Sequence, residues 1–290
     1  MAAQNNKYSL LTIRNAHSYV HRFLAWFSKH YQSWFGLVPD TGISPLPFGL
    51  LLKWHEHVRV EEAFTMRLTR AAGMPVPYVL CCGEQPPPHW YPVSILMTRL
   101  PGFDLANCGD PFIPEDEEPW ISEVQRCVDA MRAWSNPFGQ RICSAMGSAI
   151  ASHRVPFHKM GPLENEAELN KVLLGPASKE TYMSKGNYED ELALAQEMED
   201  IPHDIVFTHG DFKAHNLLLD EIHGKWHLTG FLDWECAGWC PAYWEFTTVL
   251  TMHRRTWWGE AVRYLGGDRY QREYRCEEAL RSLTVDSYVG

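Results

Sequence analysis

The spacing of apolar residues changes along the chain, and the change divides it into a strand-rich and a helix-rich part. Between residues 10 and 35, Leu10, Ile13, Tyr19, Phe23, Trp26 and Phe27 recur at roughly helical intervals and predict a helix with these residues on one face. Pro39, Gly42, Pro45 and Pro47 interrupt the pattern. Residues 48–53, Phe-Gly-Leu-Leu-Leu-Lys, then read as a strand ending in Lys53. Residues 61–72 carry few breakers and predict a helix, stopped by Gly73 and followed by Pro75 and Pro77. Residues 79–83 and 93–98 predict two more strands, joined through Pro86, Pro87 and Pro88. Leu100-Pro101-Gly102 is a plausible hinge.

Beyond it the pattern turns helical. After an acidic loop at 114–118, helices are expected over 120–134 and 188–198, whereas 136–186 gives no clear period. Ile205-Val206-Phe207 leads into a polar cluster, two apolar runs and an aromatic, helical C-terminus. The architecture predicted is α+β and two-lobed: a small β-rich lobe over 1–99 and a larger helical lobe over 100–290, with a cleft between them.

The informative chemistry lies in the polar cluster, His209-Gly210-Asp211-Phe212-Lys213-Ala214-His215-Asn216, and in Asp233-Trp234-Glu235 downstream. The two apolar arms between them, 217–220 and 226–232, read as a β-hairpin turning at Gly224. Folding there returns Asp233 beside Asn216 at the open end of an antiparallel ribbon. An amide and a carboxylate so placed supply half of a magnesium site, since Mg²⁺ takes oxygen ligands and completes its shell with phosphate and water. Asp211 precedes this hairpin, where a carboxylate can accept the proton of an attacking hydroxyl. His209 can bond the backbone or Asp233, and Gly210 permits a tight backbone turn. The plainer alternative is that Asp211 and Asn216 only cap turns. Four fixed residues in His-Gly-Asp-x4-Asn arise by chance at roughly one in several hundred chains of this length.

These residues carry a resemblance. His209-Gly-Asp211-x4-Asn216 followed by Asp233-Trp-Glu235 resembles the aminoglycoside phosphotransferase family, within the protein-kinase-like fold, and in detail a fungal branch of it. The resemblance implies Asp211 as catalytic base, Asn216 and Asp233 as magnesium ligands, and His209, Gly210 and Glu235 in support. Residues 48–53 resemble the strand whose lysine, here Lys53, contacts nucleotide phosphates, and Val60-Glu61-Glu62-Ala63 the helix start whose glutamate, Glu62, pairs with it. Met97-Thr98-Arg99-Leu100-Pro101-Gly102 resembles the interlobe hinge, which places Met97 and Arg99 at the nucleotide. The match spans about 48–105 and 205–248. It implies ATP and Mg²⁺ as cofactors and a hydroxyl of a small molecule as phosphoryl acceptor. Residues 37–47 hold one glycine and three prolines, and no GxGxxG loop precedes Lys53. A catalytically idle, pseudokinase-like binding protein is therefore the competing reading.

Composition narrows the partners. The net charge of -10, from 36 acidic and 26 basic side chains, argues against a broad nucleic-acid surface. No apolar run reaches membrane-spanning length, and no membrane partner is expected. Eight cysteines without a CxxC pair fit reduced thiols in a cytoplasmic protein. Trp239, Tyr243, Trp244 and Glu245 either line an acceptor pocket or pack a helix, and Lys213 either meets the transferred phosphate or points to solvent.

Overall fold

The computed structural model describes residues 2–38, 42–85, 92–107, 119–155, 158–180, 182, 184, 186–253 and 255–284, with side chains of the first helix from residue 15 onward. Pro39, the loop prolines 86–88, Cys108 and the acidic loop 114–118 lie outside the described residues, as do the side chains of Leu10 and Ile13. The chain divides into two compact units, one of residues 1–102 with 229–235, the other of 103–228 with 236–290.

The first unit holds helix α1 (Ala2–Phe35), strands β1 (Ile43–Leu46) and β2 (Leu50–Lys53), helix α2 (Val60–Ala71), and strands β3 (Val79–Glu84) and β4 (Val93–Thr98). The strands form one antiparallel sheet in the order β1-β2-β4-β3. Strand β2 begins two residues later than its apolar run suggests, because Pro47, Phe48 and Gly49 form a turn that joins it to β1 as a hairpin. Phe48 sits at the tip with a φ of 62° and is 98% exposed. Helix α2 buries Ala63 and Met66 on the face that also carries Glu62. Gly73, at a φ of 88°, ends it as its sequence position requires.

Helix α1 docks through its polar side. Its buried side chains are Ser18, His21, Ser28 and Gln32, while Tyr19, Phe23 and Trp26 are more than half exposed. The polar face docks because it finds partners: His21 Nδ1 lies 2.7 Å from Ser94 Oγ, and Ser28 Oγ donates to Pro45 O at 2.7 Å. Close approach matters too, for a Cβ on Gly83 would stand 2.8 Å from the Ser18 Cα.

The second unit runs β5 (Phe103–Asp104), α3 (Pro119–Arg132), β6 (Cys143–Ser144), β7 (Ile150–Ala151), β8 (Lys159–Met160), α4 (Glu166–Leu174) and α5 (Tyr188–Gln196). It continues with β9 (Ile205–Thr208), β10 (Leu217–Ile222), β11 (Lys225–Phe231, its residues 229–231 counted with the first unit), β12 (Gly238–Pro241), α6 (Trp244–His253), α7 (Trp257–Tyr264) and α8 (Gln271–Thr284). The predicted hairpin is present as β10 and β11, and its turn residues His223 and Gly224 both have positive φ, as a two-residue hairpin loop requires. Strand β12 pairs antiparallel with β9 and with β6. The aromatic rings of Phe207, Trp239, Tyr243 and Trp244 are buried in this unit's core. The seven described cysteines are free thiols.

A buried histidine ties two helices together. His203 Nδ1 is 2.7 Å from Glu166 Oε1 at the start of α4, and Nε2 is 3.1 Å from Glu273 Oε1 in α8. Burial alone lowers its pKa, but the two carboxylates outweigh burial and raise it. A raised folded-state pKa contributes stability that is fully present below the ordinary value of about 6.5 and is lost as pH rises through the folded value. Denaturant titration should show wild type exceeding His203→Gln most below pH 6.5, with the gap narrowing at higher pH.

Candidate active site

In the first unit four of the singled-out residues meet. Lys53 closes β2, and its Nζ donates to Glu62 Oε1 at 2.8 Å and to Asp233 Oδ1 at 2.6 Å. Glu62 stands in the first turn of α2 and is fully buried, and the Asp233 side chain is 35% exposed. Asp233 is delivered by the segment after β11, which is fixed by the Phe231 N–H on Pro75 O at 2.7 Å and by the Trp234 indole N–H on Phe231 O at 3.2 Å. Its φ is 59°, a left-handed backbone in which Asp is over-represented among non-glycine residues. Carboxylate oxygens of Glu62, Asp233 and Glu235 lie within 4.8 Å of one another.

One ammonium thus pairs with two carboxylates. Burial alone lowers the Lys53 pKa, yet Glu62 and Asp233 outweigh burial and raise it above its ordinary value, so Lys53 stays charged. Glu62 is pushed up to about 7, by burial first; Lys53 opposes this, and Asp233 and Glu235 add to it. The Glu62 Oε2 atom is buried without a hydrogen-bond partner. Three carboxylates gathered in a partly dry site offer the oxygen donors that a small divalent cation takes.

In the second unit the residues after β9 form a loop around Asp211. Asn216 Nδ2 donates to Asp211 O at 2.8 Å and to Asp211 Oδ2 at 3.1 Å, while Lys213 Nζ lies 2.8 Å from Asp211 Oδ1. Both oxygens of the carboxylate are therefore held. His209 is buried, and its Nδ1 faces the Asp211 N–H at 3.3 Å, the backbone alternative of the two expected for it. Phe212 is buried against Trp258, whose indole N–H donates to Phe212 O at 3.0 Å and anchors the loop to α7.

Gly210 has a φ of 80°, and its N–H donates to Glu245 Oε2 at 3.1 Å. A Cβ there would stand 2.1 Å from Cys236 O, so no side chain fits without moving backbone. Gly210→Ala should lower the thermal midpoint, with a loss of at least about 2 kcal/mol from the left-handed backbone and the clash together. Glu245 is buried at the start of α6; burial raises its pKa, and the neighbouring His209 and the Gly210 N–H oppose that rise. It buttresses the loop, and only its position after β12 hinted at a role. Met97 is buried within β4 between Leu51 and Val79, and Arg99 is exposed at the strand end with its N–H on Gly49 O at 2.7 Å.

The phosphotransferase enzyme family model matches residues 50–280. The crystal structure of aminoglycoside phosphotransferase APH(4)-Ia is similar at 18% identity, with 89% of this chain and 87% of that one covered and a TM-score of 0.56. A thermostable mutant of the same enzyme, in ternary complex with AMP-PNP and hygromycin B, is 16% identical over 88% and 87%, with a TM-score of 0.58. The GDP and kanamycin complex of APH(2")-IIIa is 13% identical over 88% of both chains, with a TM-score of 0.54. No curated protein matches the chain in sequence. At these identities the structures show a shared fold, the protein-kinase-like one, while the family model covers most of the chain. The chain belongs to the phosphotransferase enzyme family.

Proposed function

We propose that this phosphotransferase moves the γ-phosphoryl group of ATP to a hydroxyl of a small molecule, with Asp211 receiving the hydroxyl proton. The observation that carries the reading is the grip on Asp211: Lys213 holds one carboxylate oxygen and Asn216 the other. A base fixed from both sides presents its lone pairs in one direction, and positioning is where most catalysis of phosphoryl transfer lies. Lys213 also brings a cation to the reaction, suited to charge on the phosphoryl oxygens.

Lys53, kept protonated by Glu62 and Asp233, is proposed to steady the nucleotide phosphates, with Met97 and Arg99 beside the nucleotide. Asp233 and Asn216 are proposed as the protein ligands of Mg²⁺, with Glu235 in support; the carboxylate oxygens gathered at Asp233 are the donor type that ion takes. Bound there, Mg²⁺ would neutralise phosphate charge during transfer. The AMP-PNP and GDP complexes of structurally similar enzymes support a nucleotide donor, and their hygromycin B and kanamycin support a polyhydroxylated acceptor class.

Thermal melting tests the donor half. ATP with Mg²⁺ at 100 times its dissociation constant should stabilise the protein by about 2.7 kcal/mol. ATP alone should do less, and GTP serves as the comparison. A midpoint unmoved by either nucleotide with Mg²⁺ would refute the proposal and favour an idle relative of these enzymes.

A further inference from the structure

Helix α1 turns its apolar side to solvent. Tyr19, Phe23, Trp26, Trp34 and Phe35 are each between 56% and 70% exposed, and Val38, just past the helix, is 88% exposed. At 100° per residue Tyr19, Phe23, Trp26 and Trp34 share an arc opposite Ser18, His21 and Gln32, which face the sheet, while Phe35 lies near the other side at the helix end. Full aromatic side chains carry roughly 150–250 Å² each, so the four on the arc leave about 500 Å² of aromatic surface in water, at the upper end of what the largest apolar patch of a soluble monomer covers. Neighbouring rings touch along it, Phe23 tilted against Trp26 at 5.7 Å and Trp26 edge-on to His30 at 4.7 Å, which keeps the face continuous.

Charge selects the occupant. All 36 acidic residues of the chain lie outside α1, which carries Lys7, Arg14, Arg22 and Lys29. Arg22 and Lys29 are exposed, one heptad apart, along one edge of the aromatic arc. Pairing with the same helix of a second copy would set cations against cations, because a two-fold interface meets itself. A surface of anionic lipid offers the opposite charge and an interfacial layer in which Trp and Tyr are favoured.

We propose that α1 docks this protein onto anionic membranes, lying in the interface with Phe23, Trp26 and Trp34 inserted and Arg22 and Lys29 against the headgroups. None of the described helices is long and apolar enough to cross a bilayer, so the contact is interfacial. The rest of the chain stays in water, consistent with its acidity.

The full chain is mixed with phosphatidylcholine vesicles with and without phosphatidylserine and separated by flotation. Binding should require phosphatidylserine, weaken with salt, and shift tryptophan emission to shorter wavelength. Arg22→Gln and Lys29→Gln should each weaken binding by about fivefold, the effect of one basic residue near an anionic surface. The triple variant F23S/W26S/W34S should abolish flotation while its thermal midpoint, set by the opposite face, stays within a degree or two of wild type. Absence of flotation with either vesicle would overturn the proposal. So would a particle of twice 33.4 kDa in solution that the triple variant returns to the monomer, since the face would then pair copies of the chain.

Discussion

Asp211→Ala is expected to bind ATP and Mg²⁺ as wild type does and to lose phosphoryl transfer by roughly 10²-fold or more. The reasoning rests on where Asp211 stands. It is 6% exposed, its oxygens are held by Lys213 and Asn216, and its backbone carbonyl takes a second hydrogen bond from Asn216 Nδ2. Such restraint fixes the direction in which the carboxylate meets an incoming hydroxyl. The Ala variant leaves the proposed phosphate-binding cluster in the first unit intact, so the melting shift with nucleotide should survive. Asp211→Asn keeps the size and discards the negative charge, and it should be nearly as inactive. Turnover unchanged in either variant would remove Asp211 from the chemistry.

Lys53→Met should cost about 3–5 kcal/mol of stability and lower the melting midpoint by roughly 5–10 °C. The Lys53–Glu62 pair is buried on both sides, at 7% and 1% side-chain exposure. Removing the ammonium takes from Glu62 the cation it pairs with, in a site where burial, Asp233 and Glu235 already raise its pKa. The part of the contact made with Asp233 is screened by water and contributes less. Pairing the change with Glu62→Met separates packing from charge: the double variant should regain much of the loss, because an apolar pair of similar volume tolerates burial that a lone carboxylate does not. If Lys53→Met alone melts with wild type, the buried pair is not what holds α2 to β2.

Much of this was legible in the chain, for identifiable reasons. Strands β3 and β4 are bounded by Gly and Pro and read clearly as apolar runs. The hairpin of β10 and β11 was legible because Gly224 can adopt the positive φ that its turn demands. Gly210 was legible as a tight turn, although the nearness of Cys236 O, which forbids any side chain, follows from tertiary structure alone. The region 136–186 was opaque since β6, β7 and β8 are two residues each and show no period. Within it, α4 does carry a signal: Asn165 caps it by accepting the Glu168 N–H at 3.1 Å.

Helix α1 shows where periodicity misleads. Its apolar stripe identified the helix correctly, yet the buried face is the polar one, because Ser18, His21, Ser28 and Gln32 are the residues that hydrogen-bond or approach the sheet closely. Periodicity reports that a helix has two faces; what each face meets depends on partners far along the chain. Lys213 is a similar case. Sequence left it between phosphate and solvent, and the structure sets it on Asp211.

The most direct test of the central claim is to incubate wild type and Asp211→Ala side by side with γ-labelled ATP, Mg²⁺ and a panel of hydroxylated small molecules, scoring label on the acceptor. Wild type should label at least one compound, and the variant should fall by roughly two orders of magnitude while its nucleotide-induced melting shift persists. Equal labelling by the two proteins would contradict the account.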